Sequence, residues 1–159
     1  MKPRSIALAG ILIGLLWASS AAAAPAVLHF AADEPLLAQV LGEMEIDYVL
    51  SFDDADDPLW TFTHLGLLLT VIAYDETGSG QYESLLFYAG WAAESDIPLA
   101  AVNDWNADSR FGRAYIDEAG DPVIELDLLL SGGVTAQTVK DYIDVFAAVA
   151  SDLGVALGL

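Results

Sequence analysis

The stretch AVNDWNADSRFGRAYID, Ala101 to Asp117, gathers the groups best equipped for polar chemistry. It contains Asn103, Trp105, Asn106, Arg110 and Arg113. Two amides, an indole N–H and two guanidinium groups could hold an anion or dock a partner. Asn103 and Asn106 are three apart, so a helix places both on one face, the face that also carries Leu99. A half-buried amide must use its donors and acceptors, and the free backbone groups of an adjacent strand or helix end are natural partners. Arg110 and Arg113 are also three apart, but at a strand entry, which sends them to opposite faces and argues against a two-arginine anion clamp. Bracing of a helix-to-strand junction is the preferred reading. A ligand or partner site is the alternative.

Other candidate chemistry is thinner. FDDADD, Phe52 to Asp57, crowds carboxylates that are hard ligands for calcium. It lacks the glycine at position 6 and the glutamate at position 12 of an EF-hand loop, so a solvated turn is expected. The two histidines are His29 and His64, there is no cysteine, and no H-x-x-x-H occurs. A structural zinc site is therefore not expected. No serine sits in a G-x-S-x-G elbow. TGSGQ, Thr77 to Gln81, lacks the lysine and following helix of a phosphate loop. Carboxylate pairs could form by chance among 24 acids, so they carry no specificity. These absences predict a protein that is not an enzyme and needs no cofactor or metal.

Lys2 and Arg4 precede a 12-residue apolar run, Ile6 to Trp17, and small residues ending in Ala21-Ala22-Ala23. That layout predicts a secretory signal peptide over residues 1–23, cleaved after Ala23, and a periplasmic or secreted product. The run is too short for comfortable membrane spanning, so no stable insertion is expected after cleavage. Removing those two cations moves the formal charge from −19 to −21. Such a chain repels phosphates, which argues against nucleic acid as a partner.

The rest reads as a flexible lead over residues 24–32 and one domain over residues 33–159. Asp33 caps a first helix with an apolar stripe of Leu36, Leu37, Val40 and Leu41. Ile46, Tyr48, Leu50 and Phe52 alternate as a strand, Asp53 to Asp57 turn, and Trp60, Phe62 and His64 share one face of the next extended piece. Leu67 to Tyr74 predicts a buried strand, followed after a Gly/Ser loop by one carrying Leu85, Phe87, Ala89 and Trp91 on one face. Asp96 is the expected cap of a second helix, with Pro98 in its first turn and an end near Asp108. A hairpin turning at Asp117 to Asp121 follows. A register pairing Tyr115 with Glu125 pairs Arg113 with Asp127 on the exposed face. Thr135 caps the last helix, with Val134 and Val139 as a staple, an apolar face from Val139 to Leu153, and Gly154 as its stop. The order α-β-β-β(-β)-α-β-β-α predicts an α+β domain, an antiparallel sheet with helices packed to one side.

At these residues the sequence resembles the YbjN family, a bacterial group labelled sensory transduction regulators. The resemblance rests on Asn103-Asp104-Trp105-Asn106, Arg110-Phe111-Gly112-Arg113-Ala114-Tyr115, the acidic turn Asp117 to Asp121 and Gly132-Gly133-Val134-Thr135. It implies a fold like that of type III secretion chaperones, which are small, acidic, often dimeric and bind extended protein segments without doing chemistry. It imports no active site. The expected function is therefore binding of a protein or peptide partner in a chaperone-like or regulatory accessory role, with pairing of two copies left open. The competing expectation is a small-ligand or cation sensor using the acidic turn or the Asn/Arg junction.

Overall fold

The computed structural model describes residues 26–159, so the expected signal peptide lies outside the described residues. The elements are α1 (Glu34–Glu43), β1 (Tyr48–Phe52), β2 (Pro58–His64), β3 (Leu67–Gly78), β4 (Gln81–Gly90), α2 (Leu99–Asp108), β5 (Arg113–Ile116), β6 (Pro122–Leu129) and α3 (Ala136–Leu157). This is the expected order with four strands before α2. The strands form one antiparallel sheet in the order β1-β2-β3-β4-β6-β5.

Local chemistry accounts for the helix starts. Asp33 accepts the Leu36 N–H at 2.9 Å, and Thr135 accepts the Thr138 N–H at 3.1 Å, each satisfying an orphan donor of a first turn. The start of α2 differs from expectation. Asp96 does not cap it; Pro98 occupies the cap in extended backbone, and the helix begins at Leu99. Proline disfavours helical backbone in the residue before it, which keeps Ile97 and Asp96 out of the helix. The end of α3 also differs. Gly154 stays helical against Trp91, and Gly158, at φ +73°, terminates the helix instead. Packing retains a residue that propensity would use as a stop.

Three helices cover one face of the sheet. Trp60, Phe62, Leu69, Val71, Leu85, Phe87, Ile124 and Leu128 face α3 and its neighbours from the strands, with Val139, Ile143, Phe146, Ala150 and Leu153 opposite. Burying this much apolar surface at about 25 cal/mol per Å² is the main drive to fold. Among the described residues, no element covers the opposite face. This corrects the expectation of a buried β3: Leu69, Val71, Ile72 and Ala73 are buried, but Leu68 is 68% exposed. Its apolar run is continuous, yet only alternate residues have helices to pack against. Within the expected lead, His29 pairs with Val134 and Ala32 with Tyr82 through backbone bridges.

Candidate functional site

At the α2–β5 junction, the amide of Asn106 grips one residue of the edge strand. Its Nδ2 donates to the Ala114 carbonyl at 2.9 Å, and its Oδ1 accepts the Ala114 N–H at 3.0 Å. In antiparallel pairing, alternate residues turn their backbone groups toward the neighbour and away from it. Ala114 turns away from β6, so Asn106 fills a backbone pair that would otherwise sit open on the edge. Gly112 lets the chain enter β5 tightly. It sits at φ +83°, and a Cβ there would lie 3.0 Å from Ile124 Cδ1.

The other residues singled out by sequence serve separate ends. Trp105 is buried, and its Nε1–H donates to Asp152 Oδ2 at 2.9 Å, tying α2 to α3. Asn103 is exposed and its side chain makes no hydrogen bond among the described residues. The two amides therefore do not act together: they lie three apart on α2, but only Asn106 reaches β5. The Arg110 guanidinium lies 5.3 Å from the centre of the adjacent Phe111 ring. Arg113 pairs with Glu125 rather than Asp127, because the hairpin register is two residues away from the expected one and sets Tyr115 opposite Val123. The reason is the turn. Asp117 Oδ1 accepts from Ala119 N and Asp121 N, both at 2.9 Å, which closes a five-residue loop and fixes Ile116 opposite Pro122.

On the helix-free face, Glu125 accepts from both Arg113 and the Tyr115 hydroxyl, the latter at 2.7 Å. Burial, then the hydrogen bond to Glu125, pushes the Tyr115 phenol up to about 12, so it stays a donor. The Glu125 side chain is 11% exposed. Tyr88, in the next strand, lies with its hydroxyl over Gly90. These groups make a braced polar network, with no nucleophile and base pair among the contacts described.

The acidic turn between β1 and β2 repeats the device of the second hairpin. Asp53 Oδ1 accepts from Ala55 N at 2.8 Å and Asp57 N at 2.9 Å. One carboxylate is thus committed to closing the loop. Among the described residues, no three His, Asp or Glu side chains converge as a metal cage would require. Burial first, and then the charges of Asp53, Glu76, Asp56 and Asp75, raise Asp57 above its ordinary value of 3.8. A raised carboxyl contributes stability below pH 3.8 and loses it as pH rises through its folded-state value. Asp57→Asn is therefore expected to raise the melting temperature at pH 7 by a few degrees at most, the scale of a charge change worth under about 1 kcal/mol. The gain should shrink at pH 3.5 and in high salt. Thermal melts at both pH values check this; a variant melting below the parent at pH 7 would contradict it.

The two edges of the sheet differ. The β5 edge is sealed by α2 through Asn106, whereas no described segment pairs with the outer edge of β1. Asp53 N donates to Asp57 O, so these two form a hydrogen-bonded pair across the turn. The alternation then turns Val49 and Ser51 toward β2, and Tyr48, Leu50 and Phe52 outward. Pro58, which has no N–H to give, sits opposite Phe52 as this alternation requires.

Fold and surface together define a small α+β domain whose antiparallel sheet is covered on one face and sealed on one edge. The chain belongs to the YbjN family, described as "Putative bacterial sensory transduction regulator", whose model matches residues 35–158. No curated protein and no solved structure matches the chain significantly.

Proposed function

We propose that this domain is exported and binds a segment of a protein partner as a regulatory accessory, without covalent chemistry of its own. The observation that carries the reading is the one-sided covering of the sheet. Three helices pack on one face and α2 seals one edge. The other face presents Val49, Leu68 and Leu129 at 68–70% exposure. Exposed apolar side chains on an uncovered sheet suit docking of another chain. The family description supports a regulatory setting, and the basic start followed by a short apolar run supports export.

The test is photo-cross-linking in cells, with a benzophenone amino acid placed singly at Val49, Leu68 or Val155. Val155 is exposed on α3, in the helical layer, and serves as the control. Discrete adducts at Val49 or Leu68, absent at Val155 and lacking residues 1–23 by mass, are expected. No adduct, or the same adducts from all three positions, would overturn the partner reading.

A further inference from the structure

The open β1 edge adjoins a cleft of about 320 Å³. Its walls include Leu50 and Phe52 of β1, Pro58 and Trp60 of β2, Tyr82 of β4 and Pro35 of α1. That volume is at the lower end of the roughly 300–1,000 Å³ typical of binding clefts. Leu50 and Phe52 belong at once to this wall and to the set of residues whose backbone groups face outward. Phe52 remains 57% exposed although it is a large aromatic. Trp60 is fully buried, yet its indole N–H has no hydrogen-bond partner among the described residues, an uncommon condition for a buried donor.

Charge narrows what could fill this corner. Asp33 and Glu34 line the cleft, and the turn carrying Asp53, Asp54, Asp56 and Asp57 runs directly from Phe52 to Pro58. The cations among the described residues are engaged elsewhere. Arg113 pairs with Glu125, Lys140 with Glu43, and Arg110 lies by Phe111. An incoming basic group would therefore meet uncompensated carboxylates. A second copy of this chain, with a formal charge of −19, would add to the repulsion instead.

We propose that the outer edge of β1 takes an extended segment of a protein partner as a seventh strand. One aliphatic or aromatic side chain of that segment fills the cleft, and flanking Lys or Arg residues reach the Asp53–Asp57 turn at the end of the strand. This rests on the partner-binding reading above and assigns it a surface and a partner chemistry. The backbone groups of Tyr48, Leu50 and Phe52 supply the ladder, and the cleft supplies the side-chain preference.

The experiment uses the full chain, purified as the cell makes it, and a fluorescent peptide, Lys-Val-Lys-Phe-Lys-Val-Lys. A second peptide carries proline in place of both valines, which removes ladder donors. Binding of the first peptide is expected to weaken about tenfold in Phe52→Ala, the loss expected for an anchor contact. It should weaken less, with a smaller salt dependence, in the Asp54→Asn/Asp56→Asn double variant. Val155→Ala, exposed on α3 away from this edge, should bind normally. Hydrogen exchange should slow at the Leu50 and Phe52 amides when the peptide is added. The proposal is overturned by equal binding of the proline peptide, by wild-type affinity in Phe52→Ala, or by no binding at all. It is also overturned if those amides become protected by protein concentration alone, which would mark a dimer at this edge. A cellular adduct at Val49 that survives Phe52→Ala would sink this site while leaving the partner reading intact. Loss of every cellular adduct, with peptide binding as expected, would do the opposite.

Discussion

Asn106→Ala is expected to destabilise the fold measurably, while Asn103→Ala, three residues earlier on the same helix, melts like the parent. Alanine at 106 strands both the N–H and the carbonyl of Ala114, a residue that is 5% exposed. An unsatisfied buried group costs about 1–3 kcal/mol, and water entering the vacated edge will recover part of that for the pair. For a chain of this size each kcal/mol corresponds to roughly 2–8 °C, so a drop of several degrees or more should appear in a thermal melt. The loss should hardly change with salt, because neutral groups are involved. Asn103 has no bond to lose, and a surface change of that kind stays within about 0.5 kcal/mol. Equal melting of the two variants would show that the Asn106–Ala114 pair does not brace the edge.

Phe87→Ala should cost still more. Phe87 stands in β4, one of the two central strands of the sheet, with about 1% exposure, its ring centre 5.9 Å from both Tyr142 and Phe146 of α3. Truncation removes its transfer free energy, leaves a cavity, and breaks two tilted aromatic contacts. Phenylalanine-to-alanine changes in such sites cost about 3–5 kcal/mol. Against a total stability of about 5–15 kcal/mol, that is a large fraction. Denaturant unfolding should show a lower midpoint with little change in slope. Phe87→Leu should recover most of the loss. A cost below about 1 kcal/mol would mean that α3 does not press on β4 as described.

Much of this architecture is written in local patterns. The apolar positions of α3, from Val139 to Leu153, follow helical spacing closely, and the caps Asp33 and Thr135 carry side chains that only a helix start would use in this way. The alternation in β6 likewise declares a half-buried strand. What the sequence withholds depends on geometry between elements. The β5–β6 register turns on whether Asp117 closes its loop with its own carboxylate, and composition cannot distinguish that from a looser turn two residues off. Gly154 looks like a stop until Trp91 is placed beside it. Asn103 and Asn106 are equivalent on a helical wheel; only the position of β5 separates the one that binds from the one that faces water. The β2–β3 connection is similar, since Leu65 and Gly66 both take positive φ, a tight hairpin that a leucine does not announce. The β1 edge and its cleft had no linear signature, because Pro35, Phe52 and Tyr82 come from three distant segments.

The sealing of β5 by Asn106 also limits how the sheet can propagate. Cross-strand growth into a fibril needs two receptive borders, one to accept a newcomer and another to be offered onward. Among the described residues the outer border of β1 is unpaired, whereas at β5 the outward backbone pair of Ala114 is taken by Asn106. Two molecules meeting β1 to β1 consume both receptive borders and close with two-fold symmetry, after which nothing further can join. By occupying the backbone pair of Ala114, one amide thus removes from β5 the groups that onward strand pairing would need.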